Sequence, residues 1–172
     1  GQDVYYSGTV SAAREACLQK IPSLAVSLCV DFYKPRTEAK AHYDTASKLA
    51  VEVIRAFTKN GKSKIQLPPD SFLNLNSPDV PLSKVKGITL ARQGFRHYNP
   101  KILKRRDHRG KDYFWVGGSY EGFLDEEGTD CYAVEKGYAA LTPLRLDTTY
   151  HEYMIELMEE WGNSVLMKRR PR

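Results

Sequence analysis

The chain has 172 residues, 41% of them hydrophobic and 27% charged, the profile of one ordinary globular domain long enough to bury a core. No apolar run reaches the length of a membrane span and no signal peptide is visible, which argues against a helical membrane protein. The net charge of +5 is uneven: residues 96–111 carry +6 and the tail (Lys168, Arg169, Arg170, Arg172) a further +4, so the body is acidic and its two appendages suit an anionic partner or an acidic neighbouring subunit.

The chain opens on Tyr6-Ser7-Gly8-Thr9-Val10 before a run of good helix formers. Either Ser7 or Thr9 can cap a helix over Val10–Lys20, whose apolar face would hold Val10, Ala13, Ala16 and Cys17. Ile21-Pro22 ends it, because the residue before proline resists the helical region. Ser23–Cys29 is mostly apolar and reads as a strand covered on both faces. A helix leading straight into a buried strand is half of a βαβ unit. No first strand fits into Gly1–Asp3, so the pattern predicts further chain ahead of Gly1.

Val30–Arg36 is a connection. A strongly periodic helix follows, with Ala46, Leu49, Ala50, Val53, Ile54 and Phe57 on one face and a stop at Asn60-Gly61. Phe72–Asn76 alternates like a strand closed by Ser77-Pro78-Asp79, and Lys86–Ala91 reads as another strand. Residues 95–118 form a predicted hairpin with arms Arg96–Arg105 and Lys111–Val116 around a turn at Asp107-His108-Arg109-Gly110. A short helix over Thr129–Lys136 stops at Gly137. A strand at Tyr138–Leu141 is then broken by Pro143, with Leu144–Asp147 as its continuation, and Glu152–Gly162 is an amphipathic helix.

Four places invite chemistry. The helix start at Ser7, Gly8 and Thr9 offers unpaired N–H groups, two hydroxyls and the positive end of a dipole, all suited to an anion; an ordinary N-cap explains the same residues. Tyr113, Phe114 and Trp115 put rings on both faces of a hairpin strand, which favours burial against another chain over a nucleic-acid platform. Asp147 and His151, four apart at a helix start, suit a structural ion pair more than a catalytic dyad. Asp130 is a candidate cap for its helix. The cysteines Cys17, Cys29 and Cys131 lack C-x-x-C spacing and read as reduced packing residues of a cytoplasmic protein, and the histidines show no zinc-site spacing.

Several segments together resemble the SurE family, the stationary-phase survival proteins. They are Gly1-x-Asp3 with Tyr6-Ser7-Gly8-Thr9-Val10 and Ala12-Ala13, Ile21-Pro22-Ser23 with Ala25-Val26-Ser27, Leu73-Asn74-Leu75-Asn76-Ser77-Pro78, and Gly128-Thr129-Asp130 with Leu141-Thr142-Pro143-Leu144. They keep the family's order over most of the chain.

The resemblance implies a Rossmann-like three-layer α/β fold and a 5′-nucleotidase activity, the metal-dependent hydrolysis of nucleoside 5′- and 3′-monophosphates, with short polyphosphate as a further partner. Ser7, Gly8 and Thr9 match the residues that face the substrate phosphate. The divalent cation, magnesium or manganese, would be held by residues upstream of Gly1, so no catalytic or metal-ligating residue is assigned within the chain. A fragment of this kind is expected to be inactive alone. The implied division is a core with the phosphate loop over 1–94, an oligomerisation arm over 95–118, a return to the core over 119–149, and a C-terminal exchange helix and basic tail over 150–172. Asp147 and His151 would be its hinge pair, and a homodimer or homotetramer the assembly. The alternative is a non-enzymatic module using the basic arm on RNA or an acidic partner.

Overall fold

The computed structural model describes residues 1–30, 41–58 and 67–166. The connection at Asp31–Arg36, the Asn60-Gly61 stop and the basic tail lie outside the described residues. In chain order the elements are α1 (Gly8–Leu18), β1 (Leu24–Cys29), α2 (Tyr43–Thr58), β2 (Ser71–Pro78), β3 (Ile88–Leu90), β4 (Arg96–Arg106), β5 (Asp112–Phe123), α3 (Asp130–Glu135), β6 (Ala139–Arg145) and α4 (His151–Leu166).

Four strands form a mixed sheet in the order β1-β2-β6-β3, with β1 parallel to β2, β2 antiparallel to β6, and β6 parallel to β3. Side chains alternate across its faces, and the packing follows that period. Phe72 and Ala25 meet Val10, Ala13 and Cys17 of α1, while Ala140 on the same face meets Ala133 of α3. Leu73, Leu75, Ala139 and Leu141 turn the other way onto Leu49 and Val53 of α2. Helices therefore cover both faces of the sheet in three layers. The apolar stripe of α2 is seated as its spacing predicts, except that Ile54 is exposed.

Three strand expectations change. β2 is buried on both faces, so the apparent alternation of Phe72–Asn76 reflects asparagines inside the protein: Asn74 is 2% exposed. β6 runs unbroken through Pro143. Pro143 stands opposite Leu73, whose N–H is spent on the carbonyl of Ser23, the residue before β1, at 3.0 Å, so this pair exchanges no ladder bonds. The missing N–H of Pro143 faces the other side, beyond the point where β3 pairing ends at Leu141, and no ladder bond is lost. β1, in contrast, is only partly covered: Ala25 is buried, Cys29 at its end is exposed, and its outer edge pairs with no described strand.

β4 and β5 form a separate two-stranded hairpin. The second arm is longer than expected, running to Phe123, with Asp107 accepting from the Arg109 and Lys111 N–H groups in the turn. Ile102, Phe114, Trp115 and Val116 lie exposed on its outer part. α4 starts at His151 and exposes Tyr153, Ile155, Met158 and Trp161. No helix among the described residues is long and apolar enough to cross a membrane.

Candidate anion-binding site

The start of α1 is built from its own sequence. Ser7 has extended backbone (φ −78°, ψ 120°), and its Oγ accepts from the Val10 N–H at 3.2 Å while its carbonyl accepts from Ser11 N–H at 2.9 Å. Ser7 is therefore the cap, and Thr9 is released from that task. Thr9 lies exposed, and nothing stands within 4 Å of where a Cβ on Gly8 would be. Among the described residues the Gly8 and Thr9 N–H groups and the Thr9 hydroxyl have no hydrogen-bond partner. Two backbone donors, one hydroxyl and the dipole of an eleven-residue helix thus share an open surface.

The approach to this loop is held from several sides. A 3-10 turn at Gln2–Tyr5 delivers the chain to Ser7, Tyr6 N–H donates to Asp3 O at 2.9 Å, and buried Val4 packs into the α1 face of the core. The Gln2 side chain pairs with the backbone of Arg96, donating to its carbonyl at 2.6 Å and accepting from its N–H at 2.7 Å. Arg96 also pairs with Asp3, and Tyr98 Oη donates to the same carboxylate at 2.6 Å. Burial works against the Arg96 charge, but the Asp3 carboxylate together with the Tyr98 and Tyr120 phenols holds the guanidinium above its ordinary pKa. Burial, then the bond to Asp3, pushes the Tyr98 phenol up.

Asp130 is buried, and Thr129 is the cap of α3, accepting from Tyr132 N–H at 3.3 Å. The candidate role of Asp130 as cap is thus corrected: its carboxylate takes the Gly1 nitrogen, the Gly94 N–H at 2.9 Å and the Cys131 N–H at 2.8 Å. It ties the first residue of the chain to the β3–β4 connection.

Asp147 and His151 come together at 2.6 Å on an exposed surface at the start of α4. Tyr113, Phe114 and Trp115 lie on the outer hairpin. Neither group is among the residues that brace the loop. No local pattern in the sequence marks Gln2, Arg96 and Tyr98 as supports of the loop. Arg96 and Tyr98 lie more than 90 residues from the turn they brace, Gln2 carries no motif spacing, and Arg96 reads by itself as one cation of a basic run. Among the described residues no three His, Cys, Asp or Glu side chains converge where a metal ion could be held. Among the described residues the donors at the start of α1 are N–H groups and a hydroxyl, which suit an anion rather than a cation.

These features define the class: an α/β protein that presents a capped helix start, free of internal partners, beside a mixed sheet. The family model described as Survival protein SurE matches residues 1–100, which hold the loop, α1 and β1 to β3, and the chain belongs to the SurE family. It is 44% identical over 158 residues to the 5′-nucleotidase SurE of Geobacter metallireducens, covering 91% of this chain and 58% of that protein. It is 38% identical over 165 residues to the 5′/3′-nucleotidase SurE of Escherichia coli O17:K52:H18, covering 96% and 59%. The crystal structure of the SurE protein from Aquifex aeolicus superposes with a TM-score of 0.66 at 32% identity, covering 94% of this chain and 60% of that one. The chain thus spans about three-fifths of the length of these relatives.

Proposed function

We propose that this chain is the phosphate-binding part of a nucleotidase acting on nucleoside 5′- and 3′-monophosphates, with short polyphosphate entering the same loop. The observation that carries the reading is the division of labour at the helix start. Ser7 satisfies the helix, which leaves Gly8 N–H, Thr9 N–H and the Thr9 hydroxyl for phosphoryl oxygens. Such donors strengthen as charge builds on those oxygens in the transition state. The divalent cation, magnesium or manganese, and its ligands belong in this reading to the part of the relatives that the chain does not span. Residues 1–172 alone then bind and orient phosphate without turning it over. We assign the outer hairpin and α4 to contacts with a second copy in a homodimer or homotetramer, and the protein to the cytoplasm.

The test is calorimetry with inorganic phosphate and a nucleoside monophosphate. Thr9→Val removes one hydrogen bond to a charged group, worth roughly 1.5–3 kcal/mol, so affinity falls about tenfold or more with the fold intact. Unchanged affinity overturns the site. The second reading, a non-enzymatic module on RNA, draws on Lys104, Arg105 and Arg106 beside exposed Phe114 and Trp115. Strongly salt-dependent RNA binding, without turnover of nucleotides in the complete protein, would favour it.

A further inference from the structure

The hairpin and the candidate phosphate loop are far apart in sequence, yet they meet at one carboxylate. Asp3 Oδ2 receives both the Arg96 guanidinium and the Tyr98 hydroxyl. The guanidinium lies over the Tyr120 ring at 4.4 Å and the Tyr98 ring at 5.2 Å, and the two rings are 5.8 Å apart. This arrangement depends on an irregularity in the hairpin. His97 pairs with Gly122 but Tyr98 with Tyr120, so Glu121 is an extra residue, and Gly122 takes the left-handed φ of 113° that such a step allows. The bulge re-aims the strand so that Arg96, Tyr98 and Tyr120 gather over Asp3. Beyond it the hairpin continues as a regular ladder to Arg106 and Asp112.

On the other side, Asp3 belongs to the turn that leads into Ser7, with its carbonyl accepting the Tyr6 N–H. A movement of the hairpin base must therefore move Asp3, and four to six residues further on lie the cap and the donors of α1. Gln2 adds a second connection through its two bonds to the Arg96 backbone. We propose that Asp3, gripped by Arg96 and Tyr98, is a positioning residue that couples the hairpin base to the anion-binding start of α1, so that occupancy of one steadies the other. This rests on the phosphate reading of Ser7, Gly8 and Thr9. The coupling is reciprocal by thermodynamic necessity: whatever phosphate does to the hairpin, a change in the hairpin does to phosphate affinity.

Amide hydrogen exchange with and without saturating inorganic phosphate, alongside calorimetry, tests it. In the native protein phosphate slows exchange at the hairpin base, residues 96–98 and 120–123, by about fivefold or more, the lower range of coupling between sites. In Asp3→Asn the base amides exchange alike with and without phosphate, and phosphate binds about fivefold more weakly; Asp3→Glu, which keeps the charge, recovers part of both. A purely structural role would speed exchange equally in both conditions and leave the phosphate-dependent difference intact, which overturns the proposal. If Asp3→Asn does not fold, Tyr98→Phe, which keeps the ring and removes only the hydroxyl, must shrink the same difference; no change there overturns it. Weakened binding in Thr9→Val with none in Asp3→Asn overturns the coupling and leaves the phosphate reading standing. No phosphate binding by the native protein overturns both.

Discussion

Gly94 stands directly against Asp130: its N–H donates to Oδ1 at 2.9 Å, and a Cβ at this position would lie 2.9 Å from the same oxygen and 3.1 Å from the Thr129 Cβ. The glycine is required for close approach. Gly94→Ala must push the buried carboxylate away, and overpacking of this kind costs about 1–3 kcal/mol. Asp130→Ala leaves the Gly94 and Cys131 N–H groups without their acceptor, at roughly 1–3 kcal/mol for each that stays dry. Both variants are expected to lower the urea midpoint, and an unchanged midpoint for either would show that the junction relaxes freely.

Ser7 and Thr9 separate by the kind of damage they do. Ser7→Ala removes the cap of α1 and is expected to cost about 1 kcal/mol of stability. Thr9→Val alters an exposed side chain with no internal partner and is expected to leave the melting temperature nearly unchanged while weakening phosphate binding. Equal thermal shifts in the two variants would contradict the assignment of Ser7 as the cap.

The outer hairpin can be removed without touching its base. Lys101 pairs with Gly117, so replacing residues 102–116 by a Gly-Ser turn keeps the register at Arg96, Tyr98 and Tyr120. The excised part carries Ile102, Phe114, Trp115 and Val116, apolar side chains that water solvates poorly and a second copy would cover. Light scattering on the shortened protein is expected to report a smaller assembly. An assembly of unchanged subunit number, coupled with lost RNA binding, would make the hairpin a nucleic-acid surface.

Asp147 accepts from the Thr149 N–H at 2.8 Å and lies beside His151. The Thr149 hydroxyl and amide, with His151, hold its carboxyl well below the ordinary range. A depressed carboxyl contributes its stabilisation above the unfolded value of about 3.9 and loses it as pH falls through that value toward the folded one. Protection of the α4 amides should therefore persist through mildly acidic pH and decline only under stronger acid. Asp147→Asn should exchange these amides faster near neutrality and flatten the acid dependence; an identical pH profile in the variant would remove Asp147 from the start of α4.

Local chemistry determined most of the elements. The α2 stripe needed only the helical period, Gly137 after α3 only its left-handed stop, and the Ser7-Gly8-Thr9 helix start only the habits of caps. The family too was legible, because its loop and Gly128-Thr129-Asp130 block are contiguous in sequence. What local pattern could not supply was which groups meet across the fold. Asn74 reads as an outward position because asparagine is polar, yet a central strand with helices on both faces has no outward side. Pro143 reads as a break because it lacks a donor; only the pairing of Leu73 with β1 and the early end of β3 show that no donor is needed there. Arg96 reads as one cation in a basic run, and Asp130 as a cap. Tertiary structure made one the partner of Asp3, by bringing opposite charges together at the hairpin base, and the other the anchor of Gly1 and Gly94, because a buried carboxylate must find its counterpart wherever the chain brings one.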